Sequence, residues 1–175
     1  MRIAVIGIGN VLTGDDAVGP TVVRMIEAAF EAPDDVLLLD AGTPGLDLTA
    51  YLAGLEGVIL VDTVRAKGAP GELRVYGLEE LLQRPPRLAT SPHEPGVREA
   101  LLHAQFMGVA PRVARLVGVI PSAVETGIGL SAPVRAALPA ALGRVLEELA
   151  ALGVALRERV PPREPDLWWE RPVGE

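Results

Sequence analysis

Three short apolar runs recur along the first third of the chain: residues 2–8 (RIAVIGI), 36–39 (VLLL) and 57–61 (GVILV). Each is too short for a helix, and after Arg2 none contains a polar residue. That pattern fits strands covered on both faces, as the strands of parallel sheets are. Between the first two lies segment 17–31, with apolar positions at Val18, Val22, Met25, Ile26, Ala29 and Phe30. This is helical spacing, and Pro20 is tolerated in a first turn. Residues 46–54 read as a short helix. Strand, helix, strand, helix, strand describes a parallel sheet with helices on both faces.

The rest of the chain extends this pattern. Residues 72–76 (ELRVY) alternate polar and apolar, as an edge strand does. Segment 77–95 is rich in proline and reads mostly as loop, followed by a helix over 96–108 and a strand from Val113 to Ile120. Ser131 is placed to cap a long helix whose apolar face is Val134, Leu138, Leu142, Val145, Leu149 and Leu152. Pro139 inside it predicts a kink or a fresh start. The expected fold is a three-layer α/β/α arrangement. Its sheet is twisted and mostly parallel, with one antiparallel edge strand. At 175 residues the chain is long enough for one self-sufficient core. We expect a single domain over 1–158 and a Pro-rich C-terminal tail over 159–175.

Composition excludes several classes. The absence of cysteine removes disulfide frameworks, thiolate nucleophiles and zinc–cysteine sites. The N-terminal apolar run is too short for a signal segment, and no stretch approaches the ~20 apolar residues of a membrane span. A cytoplasmic location is therefore expected. A net charge of −7 with no basic cluster is unsuited to nucleic acid. The sequence has no H-E-x-x-H, no G-x-S-x-G and no phosphate-binding G-x-x-x-x-G-K-[ST].

Right-handed crossovers align the carboxyl ends of parallel strands along one edge, where ligands of such sheets bind. The first strand ends at Gly7-Ile-Gly9-Asn10, and its loop runs on to Asp15-Asp16. The second ends at Asp40 and the third at Asp62. Four carboxylates are thus expected at one edge, a costly gathering unless a cation or protons relieve it. His93, in the loop Thr90-Ser-Pro-His, is the nearby imidazole, whereas His103 falls inside a helix and reads as a surface or packing residue. Two carboxylates and an imidazole suit a divalent transition metal. Each also has a plainer reading: Asp15 can cap the first helix, and an aspartate after a strand often only shapes its loop. The Gly7-x-Gly9 turn partly mimics a dinucleotide fingerprint, with Asp40 as its acid. Leu12, however, occupies the third glycine position. A nucleotide-binding oxidoreductase is kept as an alternative.

Five segments in order resemble the hydrogenase maturation proteases. They are Ile3–Gly19 (IAVIGIGNVLTGDDAVG), Leu39–Gly45 (LDAGTPG), Ile59–Thr63 (ILVDT), Thr90–His93 (TSPH) and Leu116–Pro121 (LVGVIP). The resemblance spans residues 1 to about 155. It implies an endopeptidase, an aspartic or metal-assisted hydrolase. Such an enzyme removes the C-terminal extension from the nickel-loaded precursor of a nickel–iron hydrogenase large subunit. Nickel, carried by the substrate, is the implied recognition handle, although other divalent metals could occupy the site. The family's metal-contacting trio maps onto Asp16, Asp62 and His93. Asp40, Gly42 and Thr43 map beside the cleft where the substrate tail enters, while Gly7, Gly9 and Asn10 shape the first loop. Asp16 stands where some relatives have Glu, and Ala17 replaces a glycine common there. A monomer or weak oligomer is expected, with no nucleic acid and no membrane insertion. A nickel-binding accessory protein without peptidase activity is the other alternative. Trp168 and Trp169 lie beyond the resemblance, either packed on the body or contacting a partner.

Overall fold

A computed structural model describes residues 2–88 and 96–171. The main elements are β1 (Ile3–Gly7), α1 (Val18–Ala29), β2 (Phe30–Glu31), β3 (Val36–Asp40), α2 (Leu48–Leu52), β4 (Gly57–Arg65), β5 (Leu73–Gly77), α3 (Leu78–Gln83), β6 (Arg87–Leu88), α4 (Val97–Phe106), β7 (Val113–Val119), α5 (Ala132–Ala151) and β8 (Arg157–Glu158). The principal sheet has the order β3-β1-β4-β7-β5. Its first four strands are parallel, and β5 runs antiparallel to β7 at the edge. The expected architecture is the one observed.

Strand residues of alternating parity feed two cores. Ile3, Val5, Ile59, Val61, Val117 and Val119 face one way, against Val22 and Ile26 of α1 and Val145 and Leu149 of α5. Ala4, Ile6, Val58, Leu60 and Leu116 face the other way, against Leu48 and Leu52 of α2 and Leu101 of α4. Burial on both faces is why these strands carry no polar alternation. No helix among the described residues is long and apolar enough to cross a membrane.

Several local expectations need correction. The third strand does not stop at Asp62. It continues to Arg65, because Asp62 and Thr63 keep pairing with Gly118 and Val119 of β7 and Val64 and Arg65 pair with β6. Segment 77–88 is not mostly loop: it holds α3, where Glu80 Oε2 accepts from the Gly77 N–H at 2.9 Å and Leu81 is buried. The helix expected over 46–54 begins as a 3-10 turn (Gly45–Asp47) and continues as the five-residue α2. Pro139 does not restart the last helix; α5 passes through it as one helix of 20 residues.

The C-terminal segment is docked rather than loose over its described part. The backbone N–H groups of Arg159 and Arg163 donate to the carbonyls of Ala29 and Ala28 at the end of α1. Arg135 of α5 pairs with Glu170 at 2.8 Å. Trp169 is 3% exposed and Trp168 is 54% exposed, their rings meeting edge to face.

Candidate functional site

The loop after β1 is built by close backbone approach. A Cβ on Gly19 would lie 2.3 Å from the Ile8 carbonyl oxygen and 2.4 Å from that of Val61, so only glycine lets α1 sit this tightly on the sheet. The third glycine of a dinucleotide fingerprint serves close helix–strand packing; here Leu12 stands in its place, and Gly19, seven residues later, provides that packing. Gly9 has φ +141°, and a Cβ there would fall 1.8 Å from the Asp16 carbonyl oxygen. The chain therefore folds back on itself between Gly9 and Asp16, and a 3-10 turn (Gly14–Ala17) carries both aspartates inward.

The two neighbours then part company. Asp15 turns toward the segment before α5. Its Oδ2 accepts from the N–H groups of Ser122 (2.8 Å) and Ala123 (3.2 Å) and from the Ser131 hydroxyl (2.9 Å), and its Oδ1 accepts from the Ser131 N–H at 2.6 Å. Asp15 therefore does not cap α1. Ser131 holds the N-cap position of α5, but its hydroxyl serves Asp15 rather than the helix.

Asp16 turns toward β4. Its Oδ2 accepts from the Asn10 N–H at 2.7 Å and its Oδ1 from the Thr63 hydroxyl at 3.0 Å. Asp62 lies one residue beyond the Val61–Gly7 pairing, where β1 has ended and β4 goes on. Its Oδ1 accepts from the Thr63 N–H at 2.6 Å. Its Oδ2 is buried and has no hydrogen-bond partner among the described residues. Asp16 and Asp62 are both fully buried. Burial, and then the negative charge of Asp16, hold the Asp62 carboxyl well above the usual carboxylate range, against a smaller lowering by its Thr63 hydrogen bonds.

Asp40 ends β3 at the level of Gly7, as the sequence implied. Its carboxylate is engaged elsewhere, accepting from the Gly42 N–H at 3.1 Å and lying 3.7 Å from Arg24 of α1. Gly42 has φ +58° and open space around it, and its carbonyl accepts from the Gly9 N–H at 2.8 Å. Thr43 follows, exposed. The loop containing Asp40, Gly42 and Thr43 is thus tied to the first loop. The four expected carboxylates resolve into one close pair, Asp16 and Asp62, and two that hold loops. His93 lies outside the described residues, and among those described no group of three metal-binding side chains forms. His103 sits exposed on α4, its Nδ1 3.3 Å from the Thr49 hydroxyl.

Sequence reasoning gave no role to Thr63, although it lies within a matched segment. Its signal is a hydroxyl residue directly after an aspartate in a strand otherwise lined with aliphatic residues.

Two fully buried carboxylates that share Thr63, one with an oxygen that has no hydrogen-bond partner among the described residues, have the chemistry of a partial binding site for a divalent cation. Against known proteins, residues 20–148, more than half of the chain, match the family model described as hydrogenase maturation protease. The hydrogenase 2 maturation protease of Escherichia coli (strain K12) is 39% identical over 158 residues, covering 88% of this chain and 94% of that protein. The hydrogenase expression/formation protein HupD of Rhizobium leguminosarum bv. viciae is 36% identical over 177 residues, covering 97% and 88%. Among solved structures, the hydrogenase maturating endopeptidase HybD from E. coli superposes with a TM-score of 0.83 at 37% identity, covering 92% of this chain and 99% of that one.

Proposed function

The chain belongs to the hydrogenase maturation protease family and is a peptidase of hydrogenase maturation, and from that premise we propose a finer reading of its reaction. It removes the C-terminal extension from the precursor of a nickel–iron hydrogenase large subunit, in the cytoplasm, once nickel has been inserted. Family membership displaces the dinucleotide alternative.

The observation that carries this reading is the buried Asp16–Asp62 pair, with the Asp62 Oδ2 unpartnered among the described residues. In this reading the nickel belongs to the substrate. Asp62 offers its unused oxygen to it, Asp16 supplies the second carboxylate, and His93 the imidazole. Two carboxylates balance the charge of a divalent ion. An empty precursor brings no such charge, so it leaves the pair's electrostatic cost unrelieved and binds less well. That difference makes the metal a gate. Gly42 and Thr43, held beside the first loop by the Gly9–Gly42 hydrogen bond and by Asp40, flank the passage for the substrate tail.

The test is the intact mass of a cognate large-subunit precursor, with and without nickel, after incubation with the protein. Loss of a C-terminal peptide only from the loaded precursor is expected. An unchanged mass with a properly loaded precursor overturns the reading and favours a nickel-binding accessory role. Asp16→Ala, Asp62→Ala and His93→Ala are each expected to leave the precursor uncut. Wild-type processing by all three overturns the site assignment.

A further inference from the structure

We infer that Thr63 is a positioning residue that sets both carboxylates of the pair, so that the Asp62 Oδ2 is the oxygen left for the metal; the inference rests on the reading of the site given above. Thr63 is the point at which the two acids meet. Its hydroxyl lies 3.0 Å from the Asp16 Oδ1 and 3.4 Å from the Asp62 Oδ1, and its backbone N–H donates to that same Asp62 oxygen at 2.6 Å. A hydroxyl has one proton to give. The shorter contact assigns it to Asp16.

The four carboxylate oxygens can then be accounted for one by one. The Asp16 Oδ2 is held by the Asn10 N–H, the Asp16 Oδ1 by the Thr63 hydroxyl and the Asp62 Oδ1 by the Thr63 N–H. Only the Asp62 Oδ2 has no donor among the described residues. Both carboxylates are thereby fixed in rotation, and the one unused atom has a defined direction. Side chains that orient metal-binding carboxylates in this way commonly change metal affinity 10–100-fold when removed.

The residue type is informative. Thr63 is fully buried, pairs with Val119 and follows the aliphatic run Val58–Val61. Valine has the same shape and would fill the position without a polar atom to bury. The hydroxyl donates to Asp16, the nearer of its two carboxylate contacts among the described residues.

The experiment compares wild type, Thr63→Val and Thr63→Ser. The first readout is calorimetric titration with Ni²⁺ alone; the second is processing of nickel-loaded precursor followed by mass. Thr63→Val is expected to bind Ni²⁺ about 10–100-fold more weakly, and Thr63→Ser to restore the affinity. Thr63→Ala repeats the loss of the hydroxyl in case the valine variant does not fold. A merely structural role would lower the melting temperature of the variants without separating serine from valine in Ni²⁺ affinity. Equal affinity in wild type and Thr63→Val, or no Ni²⁺ binding by either, overturns the inference. The peptidase reading fails separately: Thr63-dependent Ni²⁺ binding with an unchanged precursor mass keeps the inference and sinks that reading. Processing that ignores Thr63, with Ni²⁺ affinity equally indifferent, does the reverse.

Discussion

Replacing Asp15 by alanine should cost more stability than any other single change on the first loop that leaves its backbone intact. Asp15 is 1% exposed and accepts four hydrogen bonds, three of them from backbone N–H groups. A hydrogen bond to a charged group contributes about 1.5–3 kcal/mol net, and a buried donor left without a partner costs about 1–3 kcal/mol. The full sum is not reached, because the side chain borders an open cavity of about 450 Å³ lined also by Gly14, Ala123 and Ser131, from which water can replace part of what is lost. The four bonds also share one acceptor group and are not additive. We therefore expect a loss of roughly 3–5 kcal/mol, a large fraction of the ~5–15 kcal/mol that holds a domain together. For a chain of this size that lowers the melting temperature by roughly 6–20 °C. Differential scanning calorimetry on metal-free protein reads it directly, with urea unfolding as the check that the m-value is unchanged. A loss under about 1 kcal/mol would refute the claim that this carboxylate ties the first loop to α5.

Three further outcomes are expected. Asp62→Asn should stabilise the metal-free protein at pH 7 by about 1–3 kcal/mol, since it removes a buried charge beside that of Asp16. The raised carboxyl of Asp62 penalises folding only above its unfolded-state range, so the advantage over wild type should shrink as pH falls toward 4 and vanish below it; calorimetry across pH that shows the gain growing in acid reverses the sign and sinks the argument. Gly9→Ala should cost more than about 3 kcal/mol or prevent folding, because both its φ of +141° and the 1.8 Å approach to the Asp16 carbonyl oxygen oppose a Cβ; near-wild-type urea unfolding contradicts this. Trp169→Ala should cost about 3–5 kcal/mol and Trp168→Ala under about 1 kcal/mol, and equal melting temperatures for the two variants would show that the tail is not packed through Trp169.

The legible parts of the fold were those in which one physical requirement dominated. Strands β1, β3, β4 and β7 announce themselves because burial on both faces leaves no room for polar residues. The six residues of α3 were hidden, since they give little more than one turn of periodicity and their support comes from Glu80 reaching back to the Gly77 N–H. The end of β4 was misplaced at Asp62 because an aspartate is a poor strand residue. Pairing with β6 and β7 carries the strand on regardless. The edge rule brought four acids to one end of the sheet. It could not say which of them would meet.

Side-chain direction decides that. Consecutive residues of a 3-10 turn point roughly 120° apart, so Asp15 and Asp16 cannot serve the same partner. One is committed to α5 and the other to β4. Asp40 ends β3 and Asp62 lies within β4, on either side of β1, but Arg24 and the Gly42 N–H engage the first, while β4 carries the second one residue past the end of β1. Asp15 and Asp40 spend their hydrogen-bonding capacity on fastening loops. Asp16 and Asp62 are fastened by Thr63 and Asn10, and the buried Asp62 Oδ2 is left without a hydrogen-bond partner among the described residues. Loops held this firmly cannot rearrange to hydrate that oxygen, so its cost is retained in the folded state. The rigidity bought by the first two acids is what allows the second two to stay in an arrangement that a looser loop would relax away.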